Sequence, residues 1–304
     1  MVEYVEVGTA NRQASIYLTN LTFITGVGKS TFLEILYSVL SNVGRKIPNI
    51  GKTWRISIQD KDVSYSIQAD PRRVRQNVVV KGEEVVFEYI PHKSLHKLIK
   101  PIDIGIANAD VIIPEIRTKE HVSIIAEEDL DRLANLLNEA RRRLDIHVKI
   151  LGPYLSPRSL VDSTTSHVLD RYGRNLTGVL AYLSLYKPTA YDSIKTQLKK
   201  LGLSLSVGLA KPGKIGAFLI TKSTKLPLSK APCSIKSFLA ISTALELRPD
   251  LLIIDNFDFC LTRQVAGVLS SVIRQKDVKI LAELHNQDFA DWIDVSKTVA
   301  EVKL

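Results

Sequence analysis

The sequence predicts an α/β fold in which helices flank a mostly parallel core sheet and an antiparallel β subdomain is added. Three features indicate this fold. The short apolar run 21–24 precedes two glycines and then a segment whose apolar residues have helical spacing. Residues 54–90 break into short strand-like runs separated by turn residues. Leu251–Ile254 is apolar throughout, which is typical of a strand buried in a parallel sheet.

The elements of the N-terminal half follow from local patterns. Two short apolar runs lie on either side of the turn-like residues 8–11, and they predict a hairpin over 2–7 and 14–19. Apolar residues at helical spacing then predict a helix over 31–40. The pattern next changes to hairpins, and we expect strands at 54–58, 63–67, 78–80, 85–90 and 111–116.

The C-terminal half alternates helices and strands. The segment 127–144 is acidic at its start and basic at its end, which suits the dipole of a helix. Spacing and punctuation by Pro and Gly predict the remaining elements. We expect helices at 176–185, 191–201, 235–247 and 261–274, and strands at 214–223, 251–254, 279–282 and 298–302.

The composition fits a folded chain without export or membrane segments. Its 304 residues are 45% hydrophobic and 24% charged, enough for a large core. Residues 1–10 lack the basic head and apolar stretch of a signal peptide, and no run approaches the ~18 apolar residues of a membrane span. Cys233 and Cys260 are too few for a disulfide framework, and we expect both to be small buried residues. We therefore predict a cytoplasmic protein in a reducing compartment, with no membrane contact.

The net charge of +9 favours an anionic partner, either nucleic acid or nucleotide phosphates. The basic residues cluster only modestly, at 72–75 and at 141–143. No module of aromatic and basic residues accompanies them, so a solvated basic surface is the alternative interpretation.

Gly28, Lys29, Ser30 and Thr31 form the pattern of a phosphate-binding loop, Walker A. Such a loop wraps backbone N–H groups around phosphates, its Lys reaches the outer phosphates, and its Ser or Thr hydroxyl binds Mg²⁺. The predicted strand before it and helix after it supply the required context. The sequence therefore predicts nucleotide phosphates bound by Gly26, Gly28, Lys29, Ser30 and Thr31, with Mg²⁺ on the hydroxyl of Ser30.

The loop departs from the full pattern, in which another glycine stands five residues before the Gly-Lys pair. Phe23 occupies that position here. The spacing of Gly26 and Gly28 indicates a shortened loop that the strand enters almost directly. A shorter loop offers fewer amides to the β-phosphate, and an accidental Gly-Lys-Ser-Thr on a turn is the alternative interpretation.

A phosphate loop also needs a carboxylate at the end of a neighbouring buried strand to hold Mg²⁺. Asp255 directly follows the apolar run 251–254. We therefore predict Asp255 as the second metal ligand, beside Ser30.

The order of these parts resembles ABC-type P-loop ATPases of the RecF, OLD and structural-maintenance-of-chromosomes kind. In that group a hairpin precedes Walker A, an antiparallel subdomain follows it, and Walker B lies near the C-terminus. Residues 170–180 look like the group's Gly-x-Asn-Leu element, and residues 251–261 look like its Walker B strand and D-loop. The resemblance implies that His285 is the switch histidine, although a lone His at a strand end is otherwise more often a surface residue. It also implies a Q-loop glutamine, for which the candidates are Gln59, Gln68 and Gln76.

Two departures from the group bear on catalysis. The group has a glutamate directly after the Walker B aspartate, whereas this chain has Asn256, which cannot accept a proton from water. Loss of a general base typically costs ~10²–10⁴-fold in rate. The Ser-x-Gly signature is degenerate, because alignment on helix 235–247 gives signature-like positions at Ala231, Cys233 and Ser234, and the frame starting at Ser229 also lacks the glycine. The catalytic positions implied are Asn256 and His285.

On this resemblance we expect a single ABC-type domain over 1–304. Its expected parts are the hairpin, phosphate loop and first helix in 1–50, the antiparallel subdomain in 51–125, a helical region in 126–230, and the signature-like helix, Walker B and switch strand in 231–304.

The resemblance implies one of two functions. The first is ATP binding with weak or partner-dependent hydrolysis, in a homodimer or with a heteromeric partner, in a DNA-related or defence process. The second is a pseudo-ATPase that acts as a scaffold or regulatory subunit. A transporter's nucleotide-binding subunit is a weaker third reading, because such subunits carry a recognisable signature and lack the strand-rich insertion.

Overall fold

The computed structural model of the protein describes residues 2–9, 12–41, 53–90, 95–100, 104–107, 135–136, 138–140, 142–144, 146–162, 165–221 and 224–304. The chain divides into two compact units. The first comprises Met1–Thr19, Gly26–His147 and Ala300–Leu304, and the second comprises Asn20–Thr25 and Val148–Val299.

The first unit contains an eight-stranded antiparallel sheet. Its strands are β1 (Tyr4–Thr9), β2 (Gln13–Tyr17), β4 (Trp54–Asp60), β5 (Val63–Ala69), β6 (Val74–Val80), β7 (Glu83–Ile90), β8 (Leu95–Lys100) and β9 (Ile104–Ala107). They are hydrogen-bonded in the order β2-β1-β4-β5-β6-β7-β8-β9. The N-terminal hairpin and the predicted insertion therefore form one continuous sheet.

Period-two alternation gives this sheet one apolar and one polar face. In β4, Ile56 and Ile58 are buried on one face, while Arg55 and Gln59 are exposed on the other. Helix α1 (Lys29–Leu40) contacts β1 and buries the apolar residues that its helical spacing brings to one side. The polar face of the sheet carries one of the candidate sites of the protein.

A second, five-stranded sheet is largely parallel. Its strands are β3 (Leu21–Val27), β10 (Val148–Leu151), β15 (Leu251–Ile254), β16 (Lys279–Glu283) and β17 (Thr298–Lys303), in the order β10-β15-β16-β3-β17. Pairing is parallel between β10 and β15, between β15 and β16, and between β16 and β3. All four residues of β15 are buried, as the apolar run predicted.

The second unit also contains a small antiparallel sheet and four helices. In that sheet β13 (Lys214–Ile220) pairs with β11 (Leu160–Asp162), β12 (Ser204–Lys211) and β14 (Lys225–Pro227). The helices are α2 (Leu176–Tyr186), α3 (Pro188–Lys199), α4 (Cys233–Glu246) and α5 (Arg263–Arg274). Their apolar residues and those of the parallel strands form one core cluster. None of the described helices combines the length and apolar character needed to cross a membrane.

The α/β class, the parallel sheet and the antiparallel sheet are confirmed. The sequence did not predict β8, β9, β10, β11, β12 or β14. It also predicted a helical region over 126–230, whereas the described part of that region holds five strands besides helices α2 and α3. Of the helix predicted at 127–144, residues 135–136, 138–140 and 142–144 are helical, and the strand predicted at 111–116 lies outside the described residues.

The prediction for the two cysteines was wrong. Cys233 and Cys260 form a disulfide, with their Cα atoms 5.6 Å apart. Cys233 is exposed and Cys260 is half-buried, because the first lies at the start of α4 and the second in the turn after β15. The expected cytoplasmic location depended in part on reduced cysteines, and the disulfide removes that support.

Candidate functional site

The phosphate loop predicted from the sequence is a very short connection. Strand β3 ends at Val27 and helix α1 begins at Lys29, so Gly28 alone separates them. Gly28 has φ of 83°, in the left-handed region that glycine adopts at little cost. The loop is thus as abrupt as the spacing of Gly26 and Gly28 predicted.

Both glycines of this loop are required by their surroundings as well as by their dihedral angles. Gly26 has φ of 98°, and a Cβ there would clash with the carbonyl oxygen of Val302. A Cβ at Gly28 would lie 2.7 Å from Cβ of Leu304. The backbone N–H of Leu304 donates to the carbonyl oxygen of Val27 at 3.0 Å, which fixes the C-terminal residues against the loop.

Lys29 and the start of α1 provide the groups that could bind an anion. The Nζ of Lys29 donates to the carbonyl oxygen of Gly26 at 2.8 Å, so the side chain folds back over its own loop. No side chain among the described residues caps the N-terminus of α1, and Ser30 and Thr31 are exposed there. A helix N-terminus with a neighbouring lysine favours negatively charged ligands.

Asp255 lies in the second unit, directly after β15. Its backbone N–H donates to the carbonyl oxygen of Leu151 at 3.0 Å and so extends the parallel pairing by one residue. Its side chain is only 6% exposed, and its Oδ2 lies 3.5 Å from Nη2 of Arg171. Oδ1 is buried and accepts no hydrogen bond from the described part of the chain. A buried carboxylate oxygen without a hydrogen-bond partner is rare in folded proteins and lowers stability unless a ligand binds it.

A hydrogen-bonded loop positions Arg171 beside this carboxylate. The backbone N–H of Asp170 donates to Oδ1 of Asn175 at 2.9 Å, and the N–H of Asn175 donates back to Oδ2 of Asp170 at 2.8 Å. Gly173 between them has φ of 64°. The Gly-x-Asn-Leu element therefore closes a loop that holds Arg171 next to Asp255. On the adjacent strand, burial lowers the pKa of Lys149, and the charge of Asp170 opposes that shift.

Asn256 is the second residue of a turn that runs from Asp255 to Cys260. It has φ of 57°, a left-handed conformation that Asn tolerates better than most residues. Its position directly after Asp255 is the one at which the ABC-type ATPases that the sequence resembles have a glutamate. The left-handed backbone conformation therefore favours Asn at position 256 independently of any role in catalysis.

Asp258 connects this turn to His285. Its Oδ2 accepts the backbone N–H of His285 at 2.9 Å and that of Asn286 at 2.8 Å. The His285 ring lies between two carboxylates, with Nδ1 3.5 Å from Asp258 Oδ1 and Nε2 3.5 Å from Glu283 Oε1. The ring itself is 57% exposed. The structure thus brings Asp255, Asn256 and His285 around one turn of the second unit.

The signature-like residues Ala231, Cys233 and Ser234 lie at or just before the start of helix α4. Ala231 is buried, and the helix α4 that follows begins at Cys233 with Pro232 as its N-cap residue. In the alternative frame, the hydroxyl and backbone N–H of Ser229 are both hydrogen-bonded to Ser159, at 2.7 and 2.6 Å. Ser234 is half-buried in the first turn of α4.

The sequence patterns did not single out Arg171, Asp258 or Glu283. The signal for Asp258 was present, because an acid two residues after Asn256 can turn back to accept N–H groups of a neighbouring loop. Arg171 and Asp255 are 84 residues apart, and no local pattern joins them. Among the glutamine candidates, Gln76 is buried and its Oε1 accepts the hydroxyl of Tyr65 at 2.6 Å, while Gln59 and Gln68 are exposed.

The polar face of the eight-stranded sheet forms a second candidate site, which we call the polar sheet face. Arg55, Gln68 and Arg75 lie directly opposite one another on β4, β5 and β6. They line an open cavity of about 450 Å³ together with Glu6 and Asn77. Arg55 also donates to the side-chain oxygen of Gln13 on β2.

An aromatic pair lies on the same face of the sheet. Tyr4 and Tyr17 are opposite one another on β1 and β2, and their ring centroids are 5.0 Å apart. Tyr4 shares its face with Glu6, because alternate residues of a strand point to the same side. Tyr17 is 72% exposed. The polar sheet face therefore combines two arginines, amide groups, the exposed ring of Tyr17 and the half-buried ring of Tyr4.

No protein-family model matches the sequence, and no curated protein matches it either. Among solved structures, the chain is similar to an Smc head bound to the C-winged helix domain of ScpA, with 12% identity, a TM-score of 0.49, and coverage of 100% of this chain and 94% of that one. For an SMC head domain from Thermotoga maritima the identity is 10%, the TM-score 0.43 and the coverage 99% and 94%. For an Smc head domain with an extended coiled coil, bound to the C-terminal domain of ScpA derived from Pyrococcus furiosus, the corresponding values are 10%, 0.43, 96% and 92%. These values are low, so the functional assignment depends on the geometry of the residues themselves.

Proposed function

We propose that this protein binds ATP as a divergent ABC-type ATPase of the RecF and structural-maintenance-of-chromosomes kind. The observation that carries the proposal is the passage from β3 into α1 through Gly28 alone, with Lys29 as the first residue of the helix. This arrangement aims a lysine and the positive end of a helix at the same point, which favours a polyphosphate. In this proposal Gly26, Gly28 and Lys29 bind the phosphates, together with Ser30 and Thr31.

Asp255 and Ser30 are the residues that would hold Mg²⁺. The buried Oδ1 of Asp255, which lacks a hydrogen-bond partner among the described residues, fits a metal ligand. Mg²⁺ in such proteins is bound by one or two protein groups and the phosphates rather than by an all-protein cage. No group of three or more metal-ligating side chains among the described residues is therefore required, and none is present. The ion would neutralise phosphate charge.

Hydrolysis is expected to be weak. Asn256 can hydrogen-bond a water but cannot take its proton, so the usual general base is missing. The side chain of His285 is 57% exposed and would contact the reacting groups only as a polar neighbour. A partner-supplied group is the simplest route to a faster reaction.

The test of nucleotide binding compares ATP with adenosine by calorimetric titration in the presence of Mg²⁺. ATP is expected to bind and adenosine is not, because the proposed contacts are all made to phosphates. Adenosine binding as tightly as ATP, or no binding of ATP, would contradict the proposal.

A second chain completes the site in this proposal. Tyr154 and Phe259 form an edge-to-face pair, with ring centroids 5.2 Å apart, and they are 63% and 43% exposed. Phe259 belongs to the same turn as Asn256, and exposed aromatic residues are enriched in protein interfaces. A homodimer or a heteromeric partner would cover them. Light scattering with and without ATP and Mg²⁺ tests this, and an unchanged monomer mass at all concentrations would contradict it.

The second candidate function is a pseudo-ATPase that serves as a scaffold or regulatory subunit. Asn256 and the degenerate positions Ala231, Cys233 and Ser234 favour it. In that case nucleotide, if bound, stabilises a conformation and is not turned over. Introducing the missing carboxylate at position 256 separates the two candidates.

Nucleic acid is the partner that the polar sheet face fits best. Arg55 and Arg75 supply positive charge along one row of the sheet, and the net charge of the chain is +9. Tyr4 and Tyr17 supply rings on which bases stack, a combination found in proteins that bind single strands. A DNA-related or defence process follows from this partner. Retention on single-stranded DNA at low salt that falls steeply as salt rises supports it, and no retention at low salt removes it.

A further inference from the structure

The disulfide joins two elements that the candidate site depends on. Cys233 is the first residue of α4, and Cys260 is the last residue of the turn that begins at Asp255. The two residues are 27 positions apart, and both belong to the second unit. The bond therefore fixes the end of the turn to the start of a helix.

The turn between Asp255 and Cys260 is held at both ends and in a costly conformation. Asn256 has φ of 57° and Cys260 has φ of 65°. A left-handed conformation costs roughly 1–2 kcal/mol for a residue other than glycine. A cysteine side chain, unlike that of Asn, does not offset this cost by a local hydrogen bond, and the bond to Cys233 helps to hold Cys260 in this conformation.

The conformation of the turn reaches His285 through Asp258. Asp258 lies two residues before Cys260, and its carboxylate accepts the backbone N–H groups of His285 and Asn286. Movement of the turn would therefore withdraw the acceptor from both N–H groups. It would also shift Asp255, which begins the same turn.

The bond is accessible to a reductant. Cys233 is exposed and Cys260 is half-buried. A thiolate released at Cys233 would lie at the N-terminus of a 14-residue helix, where negative charge is stabilised. Exposed disulfides with a stabilised leaving thiolate are the ones that exchange readily.

We propose that the Cys233–Cys260 disulfide is a reversible redox switch that sets the conformation of the Asp255–Cys260 turn and of the backbone at His285. Reduction is a thiol–disulfide exchange with a dithiol. One thiolate of the dithiol attacks a sulfur and forms a mixed disulfide, and its second thiol then displaces the remaining sulfur. The products are two cysteine thiols and the oxidised dithiol. Oxidation by a low-molecular-weight disulfide reverses the exchange.

The switch goes beyond the proposed function. Only an effect of reduction on nucleotide binding would rest on that function. Reduction frees Cys260 to leave the left-handed region and loosens the link between Asp258 and His285. The oxidised form holds Asp255, Asn256 and His285 in the arrangement described. The reduced form loses that arrangement while the core of the second unit stays folded.

The test measures backbone hydrogen exchange by mass spectrometry on the full chain, oxidised and after treatment with dithiothreitol. Alkylation first counts the thiols, and reduction is expected to add two adducts. Exchange at His285 and Asn286 is expected to rise by about tenfold or more, while α2 keeps its protection. Glutathione disulfide should restore the slow exchange. Cys233→Ser should exchange like the reduced protein with or without dithiothreitol.

Three outcomes would overturn the proposal. The first is no gain of adducts on reduction, which would mean that the two thiols are not bonded. The second is unchanged exchange at His285 and Asn286 after reduction. The third is an equal rise of hydrogen exchange in α2, which would show that the disulfide stabilises the whole second unit and is not a local switch. None of these depends on ATP, so nucleotide binding can fail while the switch stands, and the reverse also holds.

Discussion

The carboxylate of Asp258 holds the backbone N–H of His285 at 2.9 Å and thereby joins the turn after β15 to the loop after β16. The side chain of Asp258 is only 8% exposed, so water does not readily replace this bond. The loop that carries His285 also contacts the strand that leads into the phosphate loop. The Nε2 of Gln287 donates to Oγ1 of Thr25 at 3.4 Å, directly before Gly26 in the chain.

Asp258→Ala is expected to lower the free energy of unfolding by about 1.5–3 kcal/mol, because hydrogen bonds to charged groups are worth that much. Asp258→Asn is the matched control, since its amide oxygen can still accept both N–H groups, and it should cost less than half as much. Urea denaturation measures both. Equal losses for the two variants would contradict the role assigned to the carboxylate oxygen.

Gly26→Ala is expected to destabilise the protein by about 3 kcal/mol or more, since it combines a disfavoured φ with a clash against the Val302 carbonyl. Gly82→Ala is the matched control. Gly82 has φ of 87°, and a Cβ added there would have no atom within 4 Å. The stability lost by Gly82→Ala is therefore the conformational cost alone, about 1–2 kcal/mol. Thermal unfolding compares them. A Gly26→Ala variant as stable as the Gly82→Ala variant would contradict the close contact between Gly26 and the carbonyl oxygen of Val302.

Asn256→Glu is expected to raise ATP turnover by about 100-fold or more if the site is assembled and lacks only its base. Asn256→Gln is the control, because it has the same length and the same backbone cost but no proton acceptor. A phosphate-release assay measures both. If neither variant hydrolyses ATP, the scaffold function is supported. Equal gains in both variants would contradict the assignment of a missing base.

The fold was largely predictable from the sequence because its signals are local. The alternation in β4 to β6 and the apolar run of β15 each specify an element without reference to the rest of the chain. The connection from β3 through Gly28 and Lys29 into α1 could be predicted for the same reason, since its parts are consecutive in the chain.

The contacts around Asp255 could not be predicted, because they join distant residues. Nothing near Arg171 or Asp255 in the sequence indicates that they meet across 84 positions. The disulfide was missed for a related reason. Two cysteines 27 residues apart are compatible with burial or with a bond, and only the packing of α4 beside the turn after β15 decides between them.

Arg55→Ala and Arg75→Ala are each expected to weaken retention on single-stranded DNA and to reduce the slope of log affinity against log salt by about 0.7–1. The loss should be similar for different sequences, since arginines on an open face contact phosphates. Lys200→Ala, an exposed lysine in the second unit, lowers the net charge equally and serves as control. If all three variants behave alike, net charge and not the polar sheet face governs binding.

A titration of ATP and Mg²⁺ against wild type, Lys29→Ala and Lys200→Ala measures whether the loop at Gly28 binds ATP. Lys29→Ala is expected to weaken binding by about 10- to 100-fold, the equivalent of about 1.4–2.8 kcal/mol, because it removes a charged hydrogen bond to phosphate. Lys200→Ala should bind like the wild type. Equal affinity of the wild type and Lys29→Ala would contradict ATP binding by this loop.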